Sequence, residues 1–148
     1  MTYLTNDIDK ECFGCKACEQ ACPTNAIKMS NDEIGFWYPN IDESLCIKCH
    51  KCKKVCPINK DINIVDTKII YAAWSKNSYL RDQSSSGGIF SLIAEQVLSE
   101  KGIVIGAAYD EAFNVKHIAI DNPNELYRLR RSKYVQSDTS NIYKMKKK

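Results

Sequence analysis

The 148-residue sequence has no apolar run near the roughly 18 residues that a membrane-spanning helix requires. Its opening, Met1-Thr-Tyr-Leu-Thr-Asn-Asp-Ile-Asp9, lacks the basic and apolar regions of a secretory signal, so a cytoplasmic chain with no transmembrane segment is expected. Only six Gly, four Pro and two His occur, which sets aside collagen-like and low-complexity readings and leaves little histidine for acid–base work. A large excess of either charge is missing too. Residues 1–68 hold nine Lys against ten Asp/Glu, and residues 69–148 twelve Lys/Arg against eight Asp/Glu. The late excess includes Lys144, Lys146, Lys147 and Lys148, which read as a solvated tail. No nucleic-acid motif accompanies them, and no nucleic-acid partner is expected. Cysteine is absent from the 92 positions after Cys56, yet eight cysteines fall between Cys12 and Cys56.

Those eight form an internal repeat. Cys12-Phe-Gly-Cys15-Lys-Ala-Cys18-Glu-Gln-Ala-Cys22-Pro23 recurs as Cys46-Ile-Lys-Cys49-His-Lys-Cys52-Lys-Lys-Val-Cys56-Pro57, both reading C-x2-C-x2-C-x3-C-P. One tight loop of this spacing supplies three thiolates to a [4Fe–4S] cluster, and in the bacterial two-cluster arrangement the fourth cysteine of each run serves the other cluster. The expectation is therefore two [4Fe–4S] clusters, one held by Cys12, Cys15, Cys18 and Cys56, the other by Cys46, Cys49, Cys52 and Cys22. Structural zinc is the alternative, but it leaves a third closely spaced cysteine unexplained. Disulfides call for an oxidising compartment, for which the sequence carries no export signal. His50 lies inside the second run and, with four cysteines present, reads as an exposed or supporting residue.

The runs Ala26–Met29 and Glu33–Tyr38, separated by Ser30-Asn-Asp32, predict a β-hairpin between two pseudo-symmetric halves. Cys18–Cys22 and Cys52–Cys56 each predict about one helical turn, stopped by the Pro that follows. The expected domains are 1–60, a linker at 61–68, and 69–148. In the last, Ile69–Ser75 reads as a buried strand, with further strands at Ile103–Tyr109 and Val115–Ile120. Between the first two lies a helix with ridges Ile89/Ile93/Val97 and Phe90/Ala94/Leu98, stopped at Gly102. Asn122-Pro123-Asn124-Glu125 predicts the cap of another helix. The fold class is α+β, a two-[4Fe–4S] ferredoxin domain followed by a partial α/β domain whose sheet edge calls for a partner.

The tract Gln83-Ser-Ser-Ser-Gly-Gly-Ile-Phe-Ser91 puts three hydroxyls and two glycines at the head of that helix. It suits a phosphate or carboxylate, and equally a plain cap on a packed helix. Together the paired cysteine runs, Ile70-Tyr-Ala-Ala-Trp74, Ser85-Ser-Gly-Gly-Ile-Phe90, Gly102-Ile-Val-Ile-Gly-Ala-Ala-Tyr109 and Ser132-Lys-Tyr-Val-Gln-Ser-Asp138 resemble the coenzyme F420 hydrogenase/dehydrogenase beta-subunit family. The resemblance implies an iron–sulfur flavoprotein that moves single electrons between clusters and FAD, with FAD exchanging hydride with a deazaflavin or similar acceptor. It also implies Ser85, Ser86, Gly87, Gly88 and Lys133 as cofactor-binding residues.

Two positions depart from the pattern: Arg131 and Ser140 stand where many relatives carry Gly. In the family the catalytic domain continues through a Gly-x-Pro-Cys segment not found before Lys148. The partner implied is thus the remainder of the flavoprotein domain or a separate redox protein. A stand-alone ferredoxin-like carrier is the alternative function. No His, Asp or Cys constellation after residue 60 supports self-contained catalysis, and the catalytic residues are not assigned.

Overall fold

The computed structural model describes residues 12–59 and 69–145. The expected linker at 61–68 and the last three lysines lie outside the described residues. Of the described chain, 12–59 together with 139–145 forms one compact unit and 69–138 a second.

In the first unit the one-turn helices predicted inside the cysteine runs are α1, Ala17–Ala21, and α2, Lys51–Val55, which lie against each other. The hairpin between them pairs β1, Ile27–Asn31, with β2, Trp37–Ile41, from Ile27 opposite Ile41 to Asn31 opposite Trp37. The second strand thus starts later than the apolar run Glu33–Tyr38 suggests. The cause is Asp32, whose carboxylate accepts the amides of Ile34 at 3.1 Å and Phe36 at 2.8 Å and draws residues 33–36 into the turn. Pro39 lies opposite Met29 in this two-stranded pair, where among the described residues β2 is an edge strand, the position in a sheet that tolerates proline. Only Ala26 and Ile27 are fully buried apolar side chains among the described residues of this unit; the polar Lys16, Gln20 and Thr139 are buried as well. Lys16 stands over the Trp37 ring, 4.1 Å from its centre.

The second unit has a conventional core. Helix α4, Ile89–Ser99, lies on the antiparallel pair β3, Val104–Tyr109, and β4, Val115–Ile120. Ala94, Leu98, Ala108, Ile120, Leu126 and Leu129 form its buried cluster, the last two from and after a 3-10 turn, Pro123–Arg128, capped by Asn122. Only the Ala94/Leu98 ridge of α4 faces this cluster; Ile93 and Phe90 are exposed, so the predicted double stripe is half used. Helix α4 ends as expected near Gly102, by a Schellman closure: the Gly102 amide donates to Val97 O at 2.8 Å and the Lys101 amide to Leu98 O at 3.0 Å. The left-handed residue is Lys101, φ 59°, whereas Gly102 is needed because a Cβ there would meet Val97 Cγ1 at 2.6 Å.

The predicted strand Ile69–Ser75 is not formed. No strand runs alongside it among the described residues, and Ile70 and Tyr71 are 87% and 81% exposed. Without a partner its backbone groups find no ladder, and the apolar side chains find no layer to cover them. Only its end is fixed, by the Ser75 amide donating to Gly87 O at 2.7 Å. A short helix, α3, Ser78–Asp82, follows, with Asn77 Oδ1 accepting the Leu80 amide at 3.2 Å.

Arg131 and Ser140, expected from the resemblance to stand in place of Gly, carry positive φ, 66° and 45°. A side chain there costs about 1–2 kcal/mol, partly offset by the greater freedom of glycine in the unfolded chain. Arg131→Gly and Ser140→Gly should each stabilise by about 0.5–1 kcal/mol in urea unfolding; a neutral or destabilising result would show that the side chains hold these turns.

The β3–β4 turn is organised by Asp110, whose carboxylate accepts the amides of Asn114 at 2.9 Å and Ala112 at 3.0 Å. Those bonds, led by the Asn114 amide and aided by Lys116, hold its pKa below the ordinary 3.8. A depressed carboxyl contributes stability at pH above its unfolded value, and the contribution is lost as pH falls through the folded one. Asp110→Asn should therefore narrow its stability difference from the parent only below about pH 4, read from melting temperatures across pH.

Candidate metal centre

The two cysteine runs take the same path. Gly14 and Lys16 in the first have φ of 60° and 60°, and their counterparts Lys48 and His50 have 56° and 58°. Three of these four left-handed residues carry side chains, so both loops hold a conformation that L-residues seldom adopt. Alternating such residues turns successive amides inward, making a nest for negative charge. The Gly14 amide donates to Cys12 Sγ at 3.4 Å, and the Ala26 amide to Cys22 Sγ at 3.3 Å.

Two cavities lie beside these loops. One, of about 280 Å³, is lined by Cys46, Cys49, Cys52 and Cys22; the other, of about 30 Å³, by Cys12, Cys15, Cys18 and Cys56. Each joins three cysteines of one run to the last cysteine of the other. Among the described residues no three His, Cys, Asp or Glu side chains are grouped closely enough to hold a single metal ion. Four soft sulfur donors with inward amides suit an iron–sulfur cluster. By volume the larger cavity accepts a body of several atoms, and the smaller is tighter. His50 lines the larger cavity as an exposed residue at the head of α2.

The thiols differ in acidity. Burial pushes Cys18 up to about 12, with the Glu19 amide opposing and Cys15 and Cys12 adding. Burial also raises Cys52, against the Lys53 amide. Burial acts to raise Cys22 as well, but the Thr24 hydroxyl and the amides of Thr24, Ala26 and Ile27 outweigh it and hold that thiol below 9.0. The thiolate is the reactive form. In the folded loops Cys22 is therefore more readily ionised than Cys18.

In the second unit, Ser85, Ser86 and Gly88 line a cavity of about 250 Å³ together with Arg130, Arg131 and Ser132. Gly88, φ 77°, opens α4. Gly87 is turned elsewhere: a Cβ there would meet Ala73 O at 2.5 Å, so its part is close backbone packing. Lys133 does not line the cavity. Its ammonium donates to Arg130 O at 2.7 Å and Arg128 O at 3.1 Å, 5.9 Å from the Tyr109 ring centre, and burial lowers its pKa. Neither arginine was expected as a binding residue: Arg131 stood out only as a departure from Gly, although a basic pair directly before Ser132-Lys133 was a visible signal. Arg130 is braced by Ser91 Oγ at 3.1 Å and Glu95 at 3.5 Å.

Residues 11–60 match the family model of the 4Fe-4S dicluster domain, and residues 70–144 that of coenzyme F420 hydrogenase/dehydrogenase, beta subunit N-term. The chain belongs to the coenzyme F420 hydrogenase/dehydrogenase beta-subunit family. Its fold is a 4Fe-4S ferredoxin domain followed by a small α/β region, and the dicluster domain gives this member of the family iron–sulfur electron transfer. The second match describes the N-terminal part of the beta subunit. No curated protein matches the sequence. Among the described residues no helix is long and apolar enough to cross a membrane.

Proposed function

We propose that this chain is the electron-transfer module of a flavin-dependent oxidoreductase. Cys12, Cys15, Cys18 and Cys56 hold one [4Fe–4S] cluster, and Cys46, Cys49, Cys52 and Cys22 the other. The observation that carries this reading is the crossed lining of the two cavities, in which each run completes the other's set of four. Clusters of this type supply one-electron redox chemistry. The protein's own part is to fix the sulfurs, aim amides at them and keep the two sites in one small body, which the crossed ligands do by tying α1 to α2.

FAD is the second cofactor in this reading, with Ser85, Ser86 and Gly88 facing its phosphates, Gly87 shaping the turn, and Lys133 holding the loop beside them. Its partner is the rest of the beta subunit or a separate redox protein, in the cytoplasm. A carrier without flavin is the competing reading, favoured by the two carbonyls that already occupy the Lys133 ammonium.

Anaerobically purified protein should contain about eight iron and eight sulfide per chain. Cys22→Ser and Cys46→Ser should abolish the same EPR signal, and Cys12→Ser and Cys56→Ser the other, each leaving about half the iron. Zinc without sulfide would sink the cluster assignment, and Cys22→Ser pairing with Cys12→Ser would sink the crossover. Flavin co-purifying with the chain supports the flavoprotein reading; clusters without flavin on reconstitution with FAD favour the carrier.

A further inference from the structure

The pseudo-symmetry of the cysteine runs breaks at one place. Gln20 in the first run corresponds to Lys54 in the second, and whereas Lys54 is exposed, Gln20 is only 8% exposed. What covers Gln20 is a segment more than a hundred residues further along the chain. The Tyr143 amide donates to Gln20 Oε1 at 3.1 Å, Gln20 Nε2 donates to Thr139 Oγ1 at 3.4 Å, and the Thr139 hydroxyl donates to the carbonyl of Cys15 at 2.9 Å. Thr139 is also 8% exposed. The chain of bonds is internally consistent. The Tyr143 amide fixes the orientation of the Gln20 side chain, whose NH2 must then point at Thr139, whose single hydroxyl proton is left for Cys15. A 3-10 turn, Ile142–Lys144, lies against α1 and supports the segment.

We propose that Gln20 and Thr139 are positioning residues for the first cysteine run. They clamp the Cys15 carbonyl, so the run that supplies three ligands to one cluster is braced by a segment from the far end of the described chain. The equivalent of Cys15 in the second run, Cys49, is exposed. The two sites are therefore unequal in rigidity although their ligand spacing is the same. A buried relay of this kind has all its polar groups paired, and removing one member leaves the others buried without partners. This inference rests on the two-cluster assignment made above.

The test uses the full chain with clusters in place. Thr139→Val keeps the shape and removes the hydroxyl, Gln20→Glu draws the Thr139 proton from Cys15 to a carboxylate, and Thr139→Ser restores the donor. Iron release to a chelator is followed together with EPR of each reduced cluster. Iron and sulfide content is measured first: a parent protein with fewer than two clusters fails the assignment itself. With two clusters present, Thr139→Val and Gln20→Glu should speed loss of half the iron by about tenfold, the worth of one hydrogen bond. They should also shift the midpoint potential and signal of that cluster alone, and Thr139→Ser should return both towards the parent. Uniform loss from both clusters, or no change in either, would overturn the proposal.

Discussion

Among its described residues the first unit buries little apolar surface. Ala26 and Ile27 are its fully buried hydrophobic residues among those described, and its helices are single turns of five residues. Small domains of this kind need cross-links or metals to offset the entropy of ordering the chain. Here eight thiols occupy the place where a core would lie. Ligation by iron then acts as the core, and folding and metal binding become one equilibrium. The left-handed residues Lys16, Lys48 and His50 fit this picture, since conformations that are costly alone are kept when a stronger constraint overrides them.

The second unit solves the same problem by ordinary packing. A helix covers a hairpin, and small residues make the close contact: Ala108 is fully buried, and a Cβ at Gly106 would lie 3.4 Å from the Leu129 side chain. Its arginines and serines are organised by backbone turns instead of by a metal. The chain thus contains one unit whose order depends on its cofactor and one whose order does not.

Legibility in the sequence followed the same division. The repeated cysteine spacing carried the site, because four sulfurs at short intervals leave few geometries, and the pattern also located α1, α2 and the crossed sets around the cavities. Helix α4 and strands β3 and β4 were readable from apolar periodicity. The failures have local causes. Asp32 outbid the apolar run that follows it, and Ile69–Ser75 has the composition of a strand without a neighbour to pair with. Lys133 was assigned to a cofactor by resemblance, while backbone carbonyls hold its ammonium. Gln20 could not be singled out, because its partners are 119 and 123 residues away and no local pattern encodes so distant a contact.

That distance has a consequence for how the protein is made. Synthesis proceeds from the N-terminus, at about 5–20 residues per second, and domains generally fold as they emerge. When residues 12–59 leave the ribosome, all eight cysteines are available but Thr139 and Tyr143 have not been joined to the chain. The bonds that clamp the Cys15 loop can therefore form only several seconds after both cysteine runs have been synthesised.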